Sequence, residues 1–129
     1  MKALIQNVTF FFPAIIWGLI ILYLSSGSGI QLPPSVWDII AVDKLGHFAF
    51  YGILTFLIAL GCYKKQQNQI SIKALVIACL ISSIYGICLE FMQYALFPNR
   101  YFEFLDIIAN ISGSLIGILF FKYIYYKTR

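Results

Sequence analysis

Residues 74–97 read ALVIACLISSIYGICLEFMQYALF, an apolar run closed by Pro98 and interrupted by one charge, Glu90. An α-helix needs about 20 apolar residues to cross the hydrocarbon of a bilayer, and this stretch is long enough. It ends where proline cannot continue a helix without losing a backbone bond. A charge at such depth costs roughly 2.5–3.5 kcal/mol even on lenient insertion scales, so Glu90 is a functional-site candidate by default.

Three further runs of the same kind lie on either side. They cover about residues 8–24, 45–63 and 104–126, and with 74–97 they nearly exhaust a chain of 129 residues. Hydrophobic residues make up 61% and charged ones 11%, against roughly a quarter charged in soluble domains. The expected fold is therefore all-α: one integral membrane domain over 1–129, a bundle of four transmembrane helices with no room for a soluble catalytic domain. A net charge of +4 would suggest nucleic acid in a soluble protein, but here the basic residues flank apolar runs and report topology instead. No nucleic-acid partner is expected; the bilayer is.

Lys2, Lys64, Lys65, Lys73, Lys122, Lys127 and Arg129 fall on one side of the four spans, against Lys44 and Arg100 on the other. Positive-inside bias then places both termini in the cytoplasm and the loops after the first and third spans outside. Pro13 stands near the start of the first span, where a helix has unpaired donors anyway. The first span, with Lys2 before it and the small residues 25–29 behind it, has some look of a signal peptide. Its length and the central Trp17 favour an uncleaved anchor. Pro33, Pro34 and Trp37 suggest an extended interfacial segment ahead of the second span. Cys62, Cys79 and Cys88 show neither CxxC nor metal-type spacing and read as small packing residues.

The polar residues of the apolar runs gather at the outward-facing ends. Asp43, His47 and Tyr51 share one stripe of a helix at i, i+4, i+8. Asp43 fits an N-cap, and His47 is either a bonding partner for a neighbouring helix or a group for proton transfer or ligand binding. Glu90 is followed by Gln93 at i+3, with Ser83 and Gly86 continuing that face inward. Asp106 and Asn110 are i, i+4 on the fourth helix, and Gly113 and Gly117 extend the face as a GxxxG match that allows close helix approach. Arg100, in the turn between the last two spans, is tethered near Glu90 and Asp106 as their counter-ion or as an anion clamp.

The run Asp43-Lys44-Leu45-Gly46-His47 resembles the D-K-x-x-H signature of the VanZ-like family. Glu90-Phe91-Met92-Gln93, then Arg100, then Asp106 to Asn110 with Gly113 and Gly117, is similar to that family's E-x-x-Q, R and D-x-x-x-N-x-x-G-x-x-x-G elements. The resemblance covers residues 43–117 and matches the first span only as an apolar segment. It implies a small multispanning protein of the bacterial cytoplasmic membrane and cell envelope, related to one that modestly lowers susceptibility to the glycopeptide teicoplanin. The residues it carries over are Asp43, Lys44, His47, Glu90, Gln93, Arg100, Asp106, Asn110 and Gly113.

Three functional classes follow from these residues. One is a non-enzymatic envelope protein whose outer-leaflet polar site binds a lipid-linked wall precursor or other amphiphile, with Arg100 and Lys44 meeting phosphate or carboxylate. Another is an intramembrane enzyme using Glu90 or His47 as general base, which lacks an identifiable serine or cysteine nucleophile beside His47. The third is a structural polar network, an awkward way to hold helices together because buried ion pairs add little over apolar packing. No cofactor is expected, and a metal site of His47 with two carboxylates has no ligand spacing in its support.

Overall fold

A computed structural model describes residues 1–27, 36–98 and 101–127, without the side chains of residues 2–4, 36–41 and 126–127. The described chain forms four helices, α1 (Lys2–Ser25), α2 (Val36–Lys65), α3 (Ile72–Leu96) and α4 (Phe104–Lys127), with no strand among the described residues. Each contains a segment long and apolar enough to cross a membrane: Ile5–Ser25, Val42–Lys65, Ile72–Leu96 and Phe104–Tyr125. Large side chains such as Leu19, Ile77, Ile84, Leu115 and Leu119 face outward. In water such a surface would drive aggregation, and in lipid it is the solvent-facing side of the fold.

Cross-helix contacts give the topology. α2 and α4 run parallel, since His47 meets Asn110, Gly52 meets Gly117 and Tyr63 meets Tyr125 as the numbering rises in both. α3 runs antiparallel to them, its Ser82 bonding Tyr51 and its Glu90 approaching His47. α1 lies beside α2 and α3, held by Trp17 Nε1 donating to the Phe50 carbonyl at 2.9 Å and Tyr85 Oη donating to the Gly18 carbonyl at 2.6 Å. The most extensive pairing is α2 with α4. Glycine makes it possible: a methyl group on Gly113 would overlap the Phe48 carbonyl, and one on Gly117 the Gly52 carbonyl. The two backbones are in direct contact, so the side chains above and below that contact meet at fixed register.

Three local expectations change. α2 begins at Val36, two turns ahead of the expected start near Leu45, so residues 36–43 are helical and not an extended interfacial segment. The breaking effect of Pro33 and Pro34 does not reach past Val36; the two prolines themselves lie outside the described residues. Asp43 therefore sits inside α2 and is not its N-cap. Pro13 is likewise internal to α1, which starts at Lys2, so the helix forgoes one backbone bond at its middle and not in its first turn. At α3 the cap is Ser71, whose hydroxyl accepts from Ala74 N–H at 3.2 Å.

Candidate functional site

The end of the bundle where α2 and α4 begin and α3 finishes brings the predicted polar residues together. Lys44 is at its centre. Its ammonium pairs with Glu103 and Asp106, both in close contact, and lies 3.5 Å from Asp43 Oδ2. Asp106 is in the first turn of α4, where a carboxylate also meets the positive end of the helix dipole. A turn along α2, His47 turns its ring between the helices. Nδ1 is 3.0 Å from Asn110 Oδ1, and because an amide oxygen only accepts, Nδ1 is the donor. Nε2 faces Asp43 Oδ1 at 3.8 Å and Asp106 Oδ2 at 3.8 Å.

Glu90 approaches the same ring from α3, with Oε1 3.9 Å from Nδ1. Its carboxylate is only 3% exposed, whereas Asp43 and Glu103 are about half exposed, at 46% and 50%. The cluster thus grades from a wet rim to a buried floor. Below the floor a polar ladder continues inward. Ser114 Oγ lies 2.9 Å from the Asn110 carbonyl and 3.1 Å from Ser82 Oγ, and Ser82 donates to the Tyr51 carbonyl at 3.2 Å. Thr55 also donates to that carbonyl, at 2.9 Å. Gly86 leaves space for the crossing: a methyl there would come within 2.8 Å of Asn110 Nδ2 and 2.9 Å of the Tyr51 ring. Tyr51 is buried and stacks parallel to His47, with ring centres 6.4 Å apart.

Asp43, Lys44, His47, Glu90, Asp106 and Asn110 therefore share one site. Gln93 does not join them. Its amide nitrogen donates to the Ser25 carbonyl at 3.0 Å, tying α3 to the end of α1. Arg100 lies outside the described residues. Gly113 and Gly117 set the approach of α2 and α4. Sequence reading passed over Glu103, although it stands three residues before Asp106 and so on the same side of the start of α4. It also passed over the Ser82–Ser114 pair, whose serines resemble any other small residues of a membrane helix.

A four-helix membrane protein with an acid–histidine–amide cluster at one end of a parallel helix pair is the class these features define. The sequence matches the VanZ/LLP1 family over residues 1–125, so the match extends through α1 as well as the motif-bearing helices. The chain belongs to the VanZ/LLP1 family. No curated protein and no solved structure matches it.

Proposed function

We propose that this is an envelope protein of the bacterial cytoplasmic membrane whose polar cluster lies in the outer leaflet and binds the headgroup of an amphiphile, such as a lipid-linked wall precursor or a lipoglycopeptide. The carrying observation is the convergence of Asp43, Lys44, His47, Glu90, Asp106 and Asn110 at one bundle end, with an exposed rim and a buried floor. Leucine at those positions would be cheaper in lipid. Both termini in the cytoplasm, as the lysine asymmetry favours, put that end outside.

Charge balance refines the ligand. Among the described residues four carboxylates, Asp43, Glu90, Glu103 and Asp106, surround one ammonium and one imidazole, and Lys44 is already engaged by Glu103 and Asp106. Lys44 is therefore a poor clamp for a phosphate on its own. A headgroup entering here brings positive charge or meets a bridging cation, with Arg100 as the sequence's remaining basic candidate. Intramembrane acid–base catalysis is the second reading, favoured by an imidazole oriented by Asn110 beside the buried Glu90.

The test uses the full chain in lipid nanodiscs and two probes, a dye-labelled teicoplanin and an undecaprenyl-diphosphate-linked wall precursor. Saturable binding of either, lost in Glu90→Gln while the melting temperature stays near wild type, is the expected result. Binding no greater than to protein-free nanodiscs would overturn the reading. Turnover of the bound precursor, abolished by His47→Gln, would move the assignment to the enzyme.

A further inference from the structure

His47 stands between an amide oxygen on one ring nitrogen and two carboxylates on the other. Nδ1 is paired with Asn110 Oδ1 at 3.0 Å, and in the neutral ring with its proton on Nδ1 the other nitrogen, Nε2, presents a lone pair. That lone pair faces Asp43 Oδ1 and Asp106 Oδ2, each 3.8 Å away. In that tautomer these are three acceptors spaced beyond hydrogen-bond range, with no donor between them among the described residues. Lys44 does not fill the gap, because it meets the opposite oxygens, Asp43 Oδ2 and Asp106 Oδ1. Each aspartate is split, one oxygen on the ammonium and the other turned toward the imidazole.

Two buried groups outside this triad point the same way. Glu90, 3% exposed, directs Oε1 at the same ring from 3.9 Å and adds a further oxygen beside it. Asn110, fully buried, commits its oxygen to His47 at the expense of its own Nδ2, which has no hydrogen-bond partner. A ligating histidine commonly gives the N–H of its other ring nitrogen to a fixed acceptor, and Asn110 Oδ1 is placed to be that acceptor.

We propose that Asp43 Oδ1, His47 Nε2 and Asp106 Oδ2 form a binding site for a divalent transition-metal ion of the zinc or manganese type. The three ligand atoms lie within 4.8 Å of one another. Around a zinc ion with ligands at about 2.0–2.2 Å, tetrahedral neighbours are roughly 3.3–3.6 Å apart, so binding closes the two 3.8 Å gaps to Nε2 by a few tenths of an ångström and the gap between the two aspartate oxygens, at most 4.8 Å, by up to about 1.5 Å. One nitrogen and two carboxylate oxygens suit zinc or manganese better than the softer or harder ions. Three protein ligands leave a coordination position open at the exposed Asp43 side. In the amphiphile reading, on which this last step alone rests, that position accepts a phosphate or carboxylate oxygen of the headgroup and supplies the bridging charge that Lys44 cannot.

The experiment treats the full-length purified chain with EDTA, removes the chelator and titrates Zn²⁺ and Mn²⁺ separately by calorimetry, with metal counted by mass spectrometry. One ion per chain, a raised melting temperature and at least tenfold weaker binding in both His47→Gln and Asp43→Asn are expected. Asp43 is half exposed, so its variant keeps the fold even where one at Asp106 does not. No binding of either ion, or binding unchanged by both variants and so owed to Cys62, Cys79 and Cys88, would overturn the site. Running the nanodisc probes with and without Zn²⁺ separates the two ideas. Metal bound without probe leaves the metal site standing and removes the amphiphile reading. Probe bound equally in EDTA by a chain that takes up no metal does the reverse.

Discussion

α2 and α4 meet along a seam that runs from Lys44 to Tyr63 on α2, yet the two halves of that seam are built on opposite principles. At one end the contact is Lys44, His47, Asp106 and Asn110. At the other it is a knot of rings in which Phe121, fully buried, packs against Phe56 at 5.7 Å, Tyr63 at 5.8 Å and Tyr125 at 4.7 Å between ring centres. Ring packing in lipid is governed chiefly by shape, with only the hydroxyls of Tyr63 and Tyr125 needing hydrogen-bond partners. The polar end must satisfy every donor and acceptor it buries, and Asn110 Nδ2 finds no partner among the described residues. Polar groups kept under such terms at one end, when the same helix pair is stapled by aromatics at the other, are the contrast on which the proposed ligand site rests. Gly113 and Gly117 lie between the two halves and serve both.

The largest effect is expected from striking that hinge of the comparison. Gly113→Leu forces a side chain into the Phe48 carbonyl, so α2 and α4 separate and both halves are lost. The variant should fail to accumulate in the membrane, read by immunoblot of membrane fractions, and normal accumulation would show that the seam tolerates separation. Phe121→Ala comes next, at about 3–5 kcal/mol of lost stability for a fully buried ring. Its melting temperature should fall sharply while probe or metal binding by the molecules that remain folded is unchanged. Loss of binding in step with the ring would mean that the two halves are coupled.

The smallest effect belongs to the rim of the polar end. Glu103 is half exposed, and its ion pair with Lys44 is screened by solvent, so Glu103→Gln should cost only about 0.2–1 kcal/mol. Asp106→Asn, at the buried partner of the same lysine, should cost several times more. Equal effects in thermal melts of the two variants would erase the distinction between rim and floor.

Much of this was legible from the chain. Apolar run length alone implies four helices, because a bilayer sets a minimum span and the sequence meets it four times. Clear punctuation and helix end lie close together at Pro98, two residues after Leu96, whereas the start of α3 at Ile72, capped by Ser71, lies ahead of the expected residue 74. Where punctuation was only nearby, local signals misled. Pro33 and Pro34 suggested an extended stretch through residue 43, but helix propagation resumes at Val36 once no proline blocks it, and this turned Asp43 from a cap into a side chain facing Lys44 and His47.

The sequence by itself determined that the protein lives in a bilayer, that it has four helices, and that its ionisable residues collect at their ends, since hydropathy and proline act within a few residues of where they stand. Only the tertiary structure decided who meets whom. That α2 and α4 run parallel at backbone contact, that Gln93 turns away to the Ser25 carbonyl, that Glu103 shares Lys44, and that Asp43, His47 and Asp106 face one another all depend on helix register across the bundle. Register is fixed by the fit of glycine against carbonyl between residues more than sixty positions apart, and no local pattern encodes it.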